Sequence, residues 1–275
     1  MQKYQTMLKR ILREGKRKDD PHGVGNFAVC GHHMRFDLSK GFPLITTRSL
    51  EKSFRAMVVE VLWFLSGESR VDFLHKHGVR FWDQWATPEI CRQYGLEPGD
   101  VGRIYGPQWI HWRTSTGAEI NQIRNLITDL KSFPDSRRLV VTAWNPEDVD
   151  RVFVAPCHCF FKFFHAQGKL DLHLFQRSAD APVGVPFDIA EYALLLTMVA
   201  QVVGMQVGEL VYDTSDTHIY LNQIDQVKEL LTRAPRKLPT IELNPDVTDI
   251  FSFRPEDFVL KGYRPHPVLK IPVAT

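Results

Sequence analysis

Residues 187–203 constrain this chain more than any other segment. They are apolar nearly all the way round a helical projection, and a helix without a polar face has to be covered on most of its sides. The apolar runs of this chain are too short to span a bilayer, so the cover must be protein. The 275 residues supply it: a chain of that size buries roughly three quarters of its unfolded surface as one unit and needs no staples.

The rest of the pattern alternates between two periods. Tyr4, Met7, Leu8, Ile11 and Leu12 set a helical period over residues 3–16, and residues 19–26 then read as a Gly/Pro-broken loop. Residues 27–31 and 33–38 read as two short strands. Ser53 is placed to cap a helix running to Leu65, with Phe54, Met57, Val58, Val61, Leu62 and Leu65 on one side. A second such helix spans 120–130 and a third, amphipathic one spans 219–232. Strands are expected at 139–144, 160–164 and 170–176, the last two joined by a turn at 166–169. Shorter ones fall at 240–243 and 258–260. No repeat or linker interrupts the chain. The expectation is one α+β domain over residues 1–275, a large mixed sheet with flanking helices.

The formal net charge of +2 argues against a nucleic-acid footprint. Lys9, Arg10, Arg13, Lys16, Arg17 and Lys18 read as a solvated helix face and its exit loop, with phosphate binding as the sharper alternative. The N-terminus has no apolar signal region, and the cysteines Cys30, Cys91, Cys157 and Cys159 form no paired framework. A cytoplasmic protein with reduced thiols is expected, with no membrane partner.

Cys157 stands in Ala155-Pro156-Cys157-His158, ahead of the run Gln176-Arg177-Ser178-Ala179-Asp180-Ala181-Pro182-Val183-Gly184-Val185-Pro186-Phe187-Asp188. A cysteine is a strong nucleophile when its pKa is lowered or a base is near, and His158 and Arg177 are placed to do this. From the residues alone, a buried structural cysteine stays open. A metal site at Cys157-His158-Cys159 is disfavoured, because neighbouring strand residues face opposite ways and structural zinc spaces its cysteines further apart. A zinc deaminase would need H-x-E, which the chain lacks.

These motifs resemble the folate-dependent thymidylate synthase family, whose nucleophile is a cysteine. Similar runs are Gly41-Phe42-Pro43-Leu44-Ile45-Thr46-Thr47, Glu60-Val61-Leu62-Trp63-Phe64-Leu65, Phe81-Trp82-Asp83-Gln84-Trp85 and Tyr105-Gly106-Pro107-Gln108-Trp109. Further runs are Asp135-Ser136-Arg137-Arg138, Asp216-Thr217-His218-Ile219-Tyr220 and the terminal Pro272-Val273-Ala274-Thr275. The resemblance implies the family fold and 5,10-methylenetetrahydrofolate as cosubstrate, without a metal. It implies that Cys157 attacks C6 of a pyrimidine, that Glu60 organises proton transfers, and that Tyr105 with a water removes the C5 proton. His158 and Asp188 complete the catalytic set. Arg177, Ser178 and Gln176 fall on the nucleotide side, and His218 and Tyr220 bind the sugar hydroxyl. Arg137 and Arg138 reach a phosphate across a two-fold axis, which implies a homodimer. Asp180 binds the pterin, with Trp82, Trp85, Val183, Gly184, Phe187, Arg48 and Ala274 around the folate.

Two departures stand out. Where the family's loop carries a phosphate-covering arginine, this chain reads Asp20-Pro21-His22-Gly23; His22, Lys18 and Arg17 are the candidates to replace it. And where the family writes P-F-N, this chain has Asp188. An Asn amide matches uracil's N3–H donor and O4 acceptor. Cytosine reverses that edge, and a carboxyl group can accept from its 4-amino group and share a proton with N3. A mismatched buried edge costs about 1–3 kcal/mol per unsatisfied group. The expected substrate is therefore a cytidine 5′-monophosphate, dCMP before CMP, as in modification of phage or bacterial DNA precursors. Trp82, Trp85 and the terminal tail would keep the site dry for hydride transfer, which favours a methyl product over hydroxymethyl. Action on dUMP is a further alternative, and a non-catalytic nucleotide-binding regulator is a different-class one.

Overall fold

The computed structural model describes residues 1–20 and 23–274. Ten strands are described: β1 (Lys16–Lys18), β2 (Asn26–Asp37), β3 (Trp112–Arg113), β4 (Glu119–Ile120), β5 (Val140–Thr142), β6 (His158–Ala166), β7 (Lys169–Asp180), β8 (Gln206–Tyr220), β9 (Thr240–Leu243) and β10 (Phe258–Lys261). The helices are α1 (Gln2–Glu14), α2 (Glu51–Ser66), α3 (Asp72–Lys76), α4 (Pro88–Gln93), α5 (Tyr105–Ile110), α6 (Gln122–Ser132), α7 (Gly184–Val203) and α8 (Ile224–Thr232). Six strands form one mixed sheet in the order β1-β2-β8-β7-β6-β5. All its pairs are antiparallel except β7 with β8.

That parallel pair explains α7. Parallel neighbours need a crossover between them, usually a helix lying on the sheet, and α7 is that crossover. Val185, Ile189, Ala190, Ala193, Leu194, Leu196, Met198, Val199 and Ala200 are fully buried. Against the expectation that every apolar run is too short, this helix is long and apolar enough to cross a membrane by length and composition, but 83% of that stretch lies inside the fold, so it is a core helix. It begins at Gly184, three residues before the expected start. Pro186 sits in its first turn, where its missing N–H is no loss because no intrahelical partner exists there. Gly204, at φ 73°, ends it in the left-handed conformation.

Several boundaries differ from expectation. Lys16–Lys18 is an edge strand on β2 instead of an exit loop. The two strands expected at 27–31 and 33–38 are one strand, carried through Gly31 at φ +74°. Helix α2 starts at Glu51, two residues before Ser53, and Leu50 gives no side-chain cap. Helix α6 is capped instead by Asn121, which accepts from Arg124 N–H, so Ile120 falls in β4. The helix expected to start at Ile219 starts at Ile224, because Ile219 and Tyr220 end β8. Strand β8 itself, the longest of the sheet, was not expected.

The topology gathers residues at one edge of the sheet. The carboxyl ends of parallel β7 and β8 meet there with the start of antiparallel β6. His158 pairs with Gln176, Ser178 with Asp216, and Asp180 with His218. In α/β architectures the crevice outside the carboxyl ends of parallel strands is where ligands bind.

Candidate active site

Cys157 immediately precedes β6. Its backbone N–H donates to the Tyr105 hydroxyl oxygen at 2.8 Å. Burial pushes its thiol up to about 11, against the lowering effect of the Arg177 guanidinium. Arg177 Nη2 and Nε donate to the carbonyls of Ala155 (2.7 Å) and Pro156 (3.1 Å), the two residues before the cysteine. Its guanidinium also lies 5.2 Å from the centre of the Trp144 ring. His158, expected to assist the thiol, starts β6 at a break in its register with β7 and is engaged by Asp188 instead. Its Nε2 is 2.8 Å from Asp188 Oδ1, and its ring packs between Tyr105 and Tyr192.

Asp188 is 6% exposed, in the first turns of α7. Its second oxygen lies 3.4 Å from the Tyr212 hydroxyl, which donates to Gln176 Oε1. Gln176 Nε2 in turn donates to Ser178 O at 2.8 Å. Glu60, from α2, is buried nearby, and its Oε1 accepts from Trp82 Nε1–H at 2.5 Å. Trp82 packs edge-on against Trp85, with ring centres 5.1 Å apart, and against Trp63 and Tyr105. Phe187 meets Phe81 at 6.3 Å.

A second group surrounds Asp180, at the end of β7. Burial pushes its carboxyl up to about 6, against the charge of His218 and hydrogen bonds from Gln223 and Val183 N–H. Val183 and Gly184 form the junction where that N–H turns back to Asp180. His218 Nδ1 is 3.1 Å from Asp216 Oδ1, and its ring meets Tyr220 at 5.0 Å. Arg48 is 8% exposed; Nη2 donates to Pro182 O at 2.9 Å, while Nε has no partner among the described residues. The fully buried Gln223, absent from the sequence reading, ties this group together. Its Nε2 donates to Asp180 Oδ2 (3.2 Å) and to Pro272 O (2.9 Å), and its Oε1 accepts from Tyr220 N–H (3.0 Å). The tail is thereby fixed against the site, with Ala274 8% exposed.

Some expected residues stand apart or lie outside the described residues. Arg137 and Arg138 are exposed, with no side-chain partner among the described residues. Lys18 Nζ is paired with Asp216 Oδ2, beside His218, while Arg17 is exposed. Pro21, His22 and Thr275 lie outside the described residues. Ser178 is partly exposed beside the end of β8. Among the described residues no three His, Cys, Asp or Glu converge as a metal site.

The set therefore gathers a cysteine beside an arginine, a buried Glu–Trp pair, a His–Asp pair and a latched carboxylate at one end of the sheet. The family model described as thymidylate synthase matches residues 2–275. The chain belongs to the thymidylate synthase family. Membership brings with it folate-dependent methyl transfer to C5 of a pyrimidine nucleotide. Thymidylate synthases bind a nucleotide and a folate and are typically dimeric.

The site holds residues that sequence reading passed over. Glu191, Tyr192 and Tyr212 are at most 3% exposed around Asp188. Glu191 had a readable signal: it falls three positions after Asp188 on one helix face, a second carboxyl in an apolar stretch. Gln223 had none.

Proposed function

We propose that this chain transfers a one-carbon unit from 5,10-methylenetetrahydrofolate to C5 of a cytidine 5′-monophosphate, dCMP before CMP, giving the 5-methyl nucleotide and dihydrofolate. One observation carries the choice of base. The residue at the base-reading position is a buried carboxyl, with one oxygen against His158 and the other only 3.4 Å from a hydroxyl engaged elsewhere. An acceptor oxygen on this helix turn suits the 4-amino group of cytosine and opposes O4 of uracil. A carboxyl at this position can also share a proton with N3, where charge develops as a thiolate adds to C6.

In this reading Cys157 is the nucleophile. Its thiol is neutral at rest because burial outweighs Arg177, and it loses its proton as it adds. The bound folate supplies the one-carbon unit and, for a methyl product, the hydride. Asp180 and Arg48 are the buried polar groups suited to its ring, and Trp82, Trp85, Val183, Gly184, Phe187 and Ala274 wall the crevice. The tail latched by Gln223 supports a dry site and hence methyl over hydroxymethyl. Tyr105 holds the nucleophile's backbone and would handle the C5 proton, and Glu60 would organise proton transfers. Arg177, Ser178 and Gln176 serve the nucleotide, and His218 and Tyr220 its sugar. Arg137 and Arg138 would act on the partner's phosphate in a symmetric dimer. Their exposure without partners among the described residues supports this, as does the exposed apolar area of Phe160 (41%) and Phe164 (56%).

The test is product identity. Purified enzyme is incubated with methylenetetrahydrofolate and dCMP, CMP or dUMP separately, and products are weighed by mass spectrometry. A gain of a methyl group on dCMP, with dihydrofolate formed, is expected. Equal turnover of dUMP sinks the assignment of Asp188, and a hydroxymethyl product with tetrahydrofolate corrects the last step. Asp188→Asn is expected to move preference toward dUMP by about 10–100-fold.

A further inference from the structure

Glu191 is buried beside the reacting groups and has no part in the mechanism above. It lies on α7, three residues after Asp188, facing Glu60 on α2; the two helices pack directly on each other. It is 3% exposed, and no N–H or O–H among the described residues reaches its Oε1. Its side-chain hydrogen-bond partner is the carboxyl of Glu60. Two carboxyls can bond to each other only through a proton that one of them carries.

The surroundings decide how many charges this place can hold. Glu60 faces Glu191 and Asp188 from α7, His158 from β6, and the indole N–H of Trp82. Glu191 faces Glu60 and Asp188. The Tyr192 hydroxyl, which feels Asp188, Glu191 and Glu60, has no hydrogen-bond partner among the described residues. Three carboxyls thus meet one histidine, and that histidine is already engaged by Asp188. Like charges this close do not both ionise in a dry site. Of the two glutamates, Glu60 has a second donor in Trp82, and Glu191 has none among the described residues.

We infer that Glu191 is a positioning residue for Glu60: the pair holds one proton, Glu191 carries it and donates through it, and Glu60 takes the single negative charge, aimed by Trp82. The burial that raises both carboxyls is opposed at Glu60 by these two hydrogen bonds, while at Glu191 the neighbouring charge adds to it. The inference rests on the proposed role of Glu60.

The experiment compares Glu191→Gln, Glu191→Leu and Glu60→Gln with the full-length enzyme, using whichever nucleotide it turns over. The profile of kcat/KM against pH reports ionisations of the free enzyme. Leu removes the donor, so the Glu60 anion loses support, and the acid limb is expected to move to higher pH by about one unit, roughly a tenfold loss on that limb. Gln keeps an N–H donor and should leave the limb near its original place. Infrared difference spectra add a readout that packing alone does not move: the C=O stretch of a protonated carboxylic acid should vanish in Glu191→Gln and persist in Glu60→Gln. An unmoved limb in Glu191→Leu, or an acid band retained in Glu191→Gln, overturns the inference. If Glu191→Leu does not fold, the Gln variant and its spectrum decide alone. Full turnover by Glu60→Gln would instead show that the proposed role of Glu60 had failed, whereas an impaired Glu60→Gln with silent Glu191 variants leaves that role standing and removes only this one.

Discussion

The two faces of the six-stranded sheet are built from the same strands and do opposite things. On the inner face, Phe161, Phe163, Leu170, Leu172, Leu174, Leu210 and Tyr212 are at most 1% exposed, and the buried polar groups at one end of it are bound to each other. On the outer face, Phe160 stacks on Phe175 at 5.5 Å, and Phe160, Phe164 and Val140 stay largely open. Beside them, Asp213 is bridged by His33 (2.9 Å) and His173 (2.6 Å). The inner face is complete within one chain, whereas the outer face carries apolar area that one chain leaves uncovered. A period of two separates them, so neighbouring residues such as Phe160 and Phe161 belong to different surfaces.

The largest effect is expected at the inner face's chemical end. Cys157→Ser should lower turnover at least about 10³-fold while nucleotide binding, read by calorimetry, survives. Unchanged turnover would mean the crevice only binds, and the non-catalytic reading would replace the enzyme.

Next comes a pair that sets one face against the other. Leu174→Ala, on the inner face of β7, should cost about 2–5 kcal/mol in denaturant unfolding. Phe164→Asp, on the outer face of β6, should leave the protomer's fold intact yet turn a dimer into monomers in sedimentation, with activity lost if Arg137 and Arg138 serve the neighbour's site. A monomeric wild type, or a Phe164→Asp dimer, breaks the contrast.

The smallest effect concerns Asp180. Its folded pKa of about 6 stands above the ordinary carboxylate value of 3.8, so the folded state binds more protons than the unfolded between those values. Stability must therefore fall as pH rises through that window. Asp180→Asn should flatten that fall and gain at most about 3 kcal/mol at neutral pH, measured by denaturant unfolding at pH 4 and pH 7.5. An equal slope in the variant would count against a strained carboxylate there.

The chemistry was legible in the sequence to a different depth than the architecture. Ala155–His158 and Gln176–Asp188 stood out in the sequence because reacting groups must be particular residue types, and the fold brings both segments to one end of the sheet. Residues 187–203 announced a core helix because a helix without a polar face has one place to go. Strand β8 escaped because its outward positions, Glu209, Asp213 and Ser215, belong to the half-polar outer face and read like a loop. The direction of His158 could not be read either: it depends on the register of β6 against β7 and on Asp188 arriving from a helix thirty positions later. Gln223 is a common residue, and only the three-dimensional meeting of Asp180, Tyr220 and Pro272 gives it work.

That glutamine has a mechanical consequence. One amide grips both the carboxylate at the end of β7 and the carbonyl of Pro272. Whatever draws Asp180 aside changes the load on the amide that keeps the terminus shut. Unlatching the tail and disturbing the carboxylate are then a single event on a single clasp, and the chain's last residues sense what lies some ninety positions earlier without touching it.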